Sequence, residues 1–245
     1  MPTLTVIVPT FNEEQYLPLA LRSVRFADQL IVIDSFSTDK TPEIAKAQAD
    51  VFLQRKFDNF SNQKNHALEK ATGDWVLFLD ADERITPILQ EEILRAMNQE
   101  DYGGYKLHFR HFFMNRFLYH HTNDVLRLVR RDGARYEGLV HEKLKCGGKI
   151  GQLKEAVLHY TYKGLDHYIS KKESYAWFQA EQLLQKGKKP TLGLLFIKPT
   201  YRFFSSYFLK GGFRDGVPGL VISTVNAYGV FSRYAKLILL QRGMR

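Results

Sequence analysis

The apolar positions of the first hundred residues fall into short unbroken runs, separated by longer stretches with a helical period. TLTVIV (residues 3–8) is β-branched and apolar, which predicts a strand. In the following PTFNEEQYLPLALRSVRFA, Leu17, Leu21 and Val24 recur at helical spacing, with Asn12 as the expected cap. QLIVID (29–34) predicts a second buried strand. STDKTPEIAKAQA predicts a second helix, with Pro42 in its first turn and Glu43 near its favourable N-terminal end. The alternation continues with the strand VFLQR (51–55), a helix over NFSNQKNHALEKAT stopped at Gly73, and the strand WVLFLD (75–80). A helix over TPILQEEILRAM follows, capped by Thr86. Short strands alternating with helices predict a parallel sheet covered on both faces.

Past Glu100 the period changes. GYKLHFRHFFMNRF and DVLRLVRR read as antiparallel strands around a loop holding His120 and His121. LDHYISKKESYAWFQAEQLLQKG predicts a long helix, and the rest is a basic, aromatic, helical tail. The expected organisation is one α/β domain over 1–185 and a helical extension over 186–245.

Composition changes this picture in two places. A hydrophobic content of 44% with 13% aromatics suits a packed core and excludes a disordered chain. The single cysteine, Cys146, excludes an internal disulfide and a thiolate zinc cluster, and it points to a reducing compartment. The net charge of +9 is unevenly placed: residues 186–245 carry 11 Lys/Arg against one acid, Asp215, whereas the preceding residues balance 24 basic with 25 acidic side chains. MPTLTVIVPT has no basic leader or signal-type apolar stretch, so no export is expected.

The candidate chemistry sits where the fourth apolar run ends. VLFL shows no polar alternation, as in a central strand of a parallel sheet, yet it runs into Asp80, Asp82 and Glu83. Ligands of open α/β sheets bind beyond the carboxyl ends of the strands. On an extended chain Asp80 and Asp82 point to one side, where paired carboxylates suit Mg²⁺ or Mn²⁺ and, through the ion, a diphosphate. Asp34 ends the second strand at the same edge, Asp39 follows it, and Pro9, Asn12 and Glu13 follow the first. Helix capping accounts for Asn12 and for Thr38 or Asp39, but not for Asp34, Asp80 and Asp82 together. Neither the dinucleotide fingerprint nor a P-loop occurs.

Taken jointly, VIVPTFNEE, IVIDSFSTDKT, QKNHAL and GDWVLFLDADE resemble the donor-binding half of a family 2 inverting glycosyltransferase. RLVRRDGARYEGLVHEKL, LHYTYKG and KGGFRDGVPG resemble a narrower group related to the small inner-core lipopolysaccharide β-1,4-glucosyltransferases. The resemblance implies a GT-A fold: a Rossmann-like, mixed and mostly parallel sheet covered by helices. It implies a UDP-sugar donor, with Pro9, Thr10 and Phe11 against the nucleotide and Glu13 near the ribose or base. It places Asp39 at the uracil, Asp34 in support of that pocket, Lys64 and Asn65 near the base or diphosphate, Asp80 at the ribose, and Asp82 on a Mg²⁺ or Mn²⁺ ion. His159, in LHY, is a further candidate ligand.

Inversion needs a general base facing away from the leaving group. GLVHEKL offers Glu142, the choice the resemblance implies, with His141 as the alternative. Arg127, Arg130 and Arg131 are candidate diphosphate contacts, but strand alternation separates Arg130 from the other two. In the tail, Phe196, Tyr201, Phe204 and Phe208 are interleaved with Lys198, Arg202 and Lys210. Such a mixture suits single-stranded nucleic acid, an anionic membrane surface, or a helical flank of the sheet. With the donor motifs present, the expectation is peripheral attachment to the inner face of the cytoplasmic membrane and no nucleic-acid partner. The expected acceptor is a lipid-linked or lipopolysaccharide-type glycan. A polyprenyl phosphate carrier is the alternative within the class; a sugar nucleotidyltransferase would call for a glycine-rich triphosphate loop near the first strand, which VPTFNEEQ lacks.

Overall fold

A computed structural model describes residues 1–138, 142–162 and 164–244. The chain forms two compact units, one of residues 1–110 and 123–159, the other of 111–122 and 160–245. The first unit opens with β1 (Leu4–Thr10), α1 (Leu17–Ser23), β2 (Gln29–Asp34), α2 (Thr41–Gln48), β3 (Val51–Gln54), α3 (Phe60–Leu68) and β4 (Trp75–Phe78). It continues through β5 (Glu83–Arg84), α4 (Pro87–Ala96), β6 (Tyr102–Phe113), β7 (Arg116–Arg130), β8 (Arg135–Glu137), β9 (Lys143–Lys145) and β10 (Lys149–His159), of which β6 and β7 run on into the second unit.

Among the described residues the main sheet has the order β3-β2-β1-β4-β7-β6-β10-β5. β1 to β4 pair in parallel, β7 joins β4 antiparallel, and β5 joins β10 antiparallel. The parallel half is the sheet that the apolar runs lead one to expect, and with the antiparallel strands it makes the mixed, mostly parallel sheet that the resemblance implies. The runs lack alternation because both faces are covered. Val6, Val8, Leu30, Val32, Trp75 and Leu77 enter one core with Leu17, Leu21 and Leu89. Ile7, Ile31, Ile33, Val76 and Phe78 enter the other with Ala67 and Tyr136. Gly73 lets the chain pass β1 closely: a Cβ there would lie 2.6 Å from the Thr5 backbone nitrogen.

The second unit holds the hairpin tip, α5 (Leu165–Gln185), α6 (Leu192–Phe204), a π-turn (Ser205–Leu209), a 3₁₀ turn (Gly212–Asp215) and α7 (Val217–Gln241). Phe113, Leu118, Tyr168, Ile222 and Val225 form its core. The helix 165–185 therefore packs with the tail, upstream of the boundary expected at 186, because Tyr168 joins the same core as Ile222 and Val225. His120 and His121 lie within β7, not in a loop. The hairpin turns at Met114 and Asn115, whose φ of 48° and 61° give the left-handed pair a two-residue loop needs. Asp215 fixes the tip by accepting from the backbone of Tyr119, His120 and His121 and from His121 Nδ1, at 2.8 to 3.1 Å.

Candidate active site

Three parallel strands end at one rim. Thr10 pairs in register with Asp34, and the Leu79 N–H reaches Ile7 O at 3.0 Å. The strand itself stops at Phe78, and Asp80 to Glu83 form a turn closed by Glu83 N–H donating to Asp80 O at 2.9 Å. Arg84 clamps this turn by donating to Ala81 O at 2.9 Å and Tyr16 O at 2.5 Å. Asp80 and Asp82 are therefore not side by side on an extended strand. Asp80 turns to Arg127, and Asp82 to His159.

Arg127 is the centre of charge. Its guanidinium donates to Asp80 Oδ2 at 2.6 Å and to Glu83 Oε1 at 3.1 Å, and it lies over the Phe109 ring. Glu83 is fully buried and also accepts from the Asp80 backbone N–H at 2.8 Å. Its charged partner is thus Arg127, with His159 Nδ1 farther off at 3.8 Å. Burial pushes the Glu83 carboxyl up to about 7, with Arg127 opposing the rise. Burial pushes Asp80 up as well, but Arg127 and Lys64 outweigh it and hold Asp80 well below the usual carboxylate range. Replacing Arg127 with Met strands two carboxylates in the interior. The expected loss is about 3–5 kcal/mol, which differential scanning calorimetry reads as a Tm lower by about 10 °C; a Tm within experimental error of the parent means the network is not structural.

The loop after β2 is built on Asp34. Its carboxylate accepts from Ser37 N–H at 3.0 Å, the Ser37 hydroxyl, and Gln54 Nε2 at 3.1 Å. Asn12 does not cap α1, whose N-cap is Tyr16. It adopts φ 53°, and its side-chain oxygen accepts from Thr38 N–H at 2.9 Å, which ties the loop after β1 to the loop after β2. Asp39 strengthens the tie by accepting from Thr41 N–H at 2.9 Å and Glu14 N–H at 3.1 Å. Burial opposes ionisation of Asp39, but the bond from the Thr41 side chain and these backbone bonds prevail and lower its pKa. The Glu13 N–H is held by Thr41 Oγ1 at 2.8 Å, and the Thr10 hydroxyl is buried with no hydrogen-bond partner among the described residues. Pro9 is half-buried, and the rings of Phe11 and Phe36 stand exposed on the two tied loops. Phe36 has φ 61°, a strained position for an aromatic residue that the sequence did not signal.

On the α3 side, Lys64 is buried, lies 4.7 Å from the centre of the Tyr136 ring, and pairs with Glu142 at 3.1 Å. Glu142 thus faces inward to Lys64. His141 lies outside the described residues. Asn65 Nδ2 donates to Tyr136 O and Asn65 Oδ1 accepts from Tyr136 N–H, both at 2.9 Å. The amide of Asn65 is engaged in holding β8, which makes it a positioning residue. Arg130 lies over Trp75 and donates to Tyr102 O, away from Arg127 as strand alternation requires.

His159 Nε2 lies 3.3 Å from Asp82 Oδ1, and both side chains are partly exposed. Burial lowers the His159 pKa, but the bond to Asp82 and the charge of Glu83 raise it overall. A carboxylate oxygen beside an imidazole nitrogen fits a divalent ion of the Mn²⁺ type. Among the described residues no three acidic, His or Cys side chains converge on one point. Two protein ligands suit an ion held largely by substrate phosphates.

The Glycosyl transferase family 2 profile matches residues 5–160. A lipopolysaccharide core biosynthesis glycosyltransferase of Rhizobium meliloti, LpsC, is 28% identical over 96% of this chain and 91% of that protein. An uncharacterized glycosyltransferase of Rickettsia bellii is 29% identical over 96% of this chain and 85% of that protein. Among solved structures, the mannosyltransferase PcManGT of Pyrobaculum calidifontis, in complex with GDP-Man and Mn²⁺, superposes with a TM-score of 0.57 at 15% identity, covering 97% of this chain and 87% of that one. S. aureus TarS with UDP-GlcNAc gives 0.52 at 15% identity, covering 99% and 92%.

Proposed function

Because the chain belongs to glycosyl transferase family 2, we propose that it moves a single sugar, with inversion, from a UDP-sugar to a lipid-linked or lipopolysaccharide-type glycan. The observation that carries this reading is Asp80 under the charges of Arg127 and Lys64, with Lys64 paired to Glu142 and Asp82 to His159, where β1, β2 and β4 end beside loops organised by Asp34 and Asp39. The tied loops present Thr10, Phe11 and Asp39 to the nucleoside. Asp82 and His159 are the residues that would hold a Mn²⁺ or Mg²⁺ ion. Such an ion supplies Lewis-acid neutralisation of the departing diphosphate when bound.

Glu142 removes the proton of the acceptor hydroxyl as it attacks the anomeric carbon, while the bond to the diphosphate breaks on the opposite face. Lys64 orients Glu142 through their ion pair, and Arg127 holds Asp80, the residue assigned to the ribose. The acceptor class follows LpsC, whose description names lipopolysaccharide core biosynthesis. The choice of UDP follows the family resemblance at Asp39. PcManGT with GDP-Man shows why guanosine donors belong in the test.

The test is release of nucleoside diphosphate from a panel of UDP- and GDP-sugars, with and without Mn²⁺. Slow Mn²⁺-dependent release of UDP from one donor is the expected result. Release of GDP alone overturns the donor assignment, and release that ignores the metal overturns the role given to Asp82.

A further inference from the structure

The second unit carries an outward apolar surface that neither its own core nor the chemistry of the first unit explains. None of the residues of α6 is buried, although the helix is among the most apolar in the chain. Ile197, Tyr201 and Phe204 follow one another at spacings of four and three residues, which places them on one stripe, and Phe208 extends it by a turn. Their exposures are 68%, 62%, 53% and 50%. Leu209 at the end of the π-turn, and Phe213 and Val217 after it, are also exposed, at 77%, 46% and 64%. A contiguous exposed apolar surface of this extent marks an interaction site.

The surface is also rigidly mounted. Ser206, one residue into the π-turn, is buried and bonds Ser223 of α7 and His121 of the hairpin tip. Asp215 bonds the same hairpin. The exposed rings therefore stand on a fixed scaffold.

Charge decides the occupant. On the helical wheel Lys198 and Arg202 sit together along one edge of the stripe, both exposed, and Lys210 and Arg214 are exposed in the turns that follow. No acidic side chain lies between Lys186 and Arg214. Aromatic rings flanked by cations match the boundary of a bilayer, where rings enter between headgroups and cations meet phosphates. Among the described residues no helix is long and apolar enough to cross a membrane. We propose that the second unit docks on the surface of a bilayer containing anionic phospholipid, with the Ile197–Tyr201–Phe204–Phe208 stripe inserted and Lys198, Arg202, Lys210 and Arg214 on the headgroups.

The experiment is co-flotation of the full chain with vesicles of phosphatidylglycerol and phosphatidylcholine, and with vesicles of phosphatidylcholine alone. No sugar donor is present, so the result is independent of the catalytic reading. The chain floats with the anionic vesicles, and less of it does so as salt rises. A triple Ile197→Ser, Tyr201→Ser, Phe204→Ser variant loses flotation with an unchanged circular dichroism spectrum, because these side chains support no core. A double Lys198→Glu, Lys210→Glu variant binds at least about 20-fold more weakly, from about fivefold per cation at an anionic surface. Equal flotation of parent and double variant overturns the proposal. So does a parent that ignores vesicles but sediments as a dimer which the triple variant abolishes, since the occupant is then a second copy of the chain.

Discussion

Asp82→Ala is expected to abolish the metal dependence that the proposed function assigns to UDP binding. Titration calorimetry in Mn²⁺ is expected to give an affinity no better than that in chelator, a loss of about 100-fold or more, since even changes outside the metal's own ligands cost about 10–100-fold. The fold gives Asp82 little structural work. Its side chain is partly exposed, and the partner it meets is His159 at 3.3 Å, whereas the turn around it is held by Arg84 and Glu83. The melting temperature should therefore stay near that of the parent, which separates this variant from Arg127→Met. His159→Ala tests the second ligand and should show a smaller loss in the same measurement. If parent and Asp82→Ala bind UDP with the same affinity in Mn²⁺ and in chelator, the metal assignment fails.

The legible part of this site is the part that strand burial writes into the sequence. Unbroken β-branched and aromatic runs such as VIV, LIVI and WVLF between turn signals read as strands covered on both faces, and they point to a rim at their carboxyl ends. Asp34, Asp39, Asp80 and Asp82 were visible because no such run has a packing reason to end in acid. The arrangement of those acids was not legible. Extension of the strand to Asp80 assumed that direction persists, but Glu83 and Arg84 fold the chain back at Phe78 through bonds to the backbone of Asp80, Ala81 and Tyr16. No local pattern announces that a buried Glu will meet an Arg from 44 residues away. Asn12 misled for a related reason. It has the chemistry of a helix cap, but its oxygen serves Thr38, 26 residues later. The antiparallel pair is legible, but not its turn: Met114 and Asn115 lack the usual glycine and fall inside the expected first strand, and the tip packs with residues after 160, which sequence order cannot show.

Glu142→Gln is expected to leave UDP affinity unchanged and to slow sugar transfer by about 100- to 10,000-fold, the usual worth of a general base. The pairing with Lys64 makes this variant informative. Lys64 is buried against the Tyr136 ring and reaches Glu142 at 3.1 Å. Glutamine keeps the size of the side chain and an oxygen that can accept from Lys64, so the pocket keeps its shape while the proton acceptor is lost. A purely structural ion pair predicts the reverse: a lower Tm, and a rate that recovers once the fold is stabilised. The kinetic split is also diagnostic. A base acts in the transition state, so kcat and kcat/KM should fall together with KM for the donor unchanged. A rise in KM alone would mean that Glu142 binds substrate without taking its proton. Full activity of Glu142→Gln moves the base elsewhere, and His141→Gln, made beside it, then decides whether the neighbouring imidazole has that role.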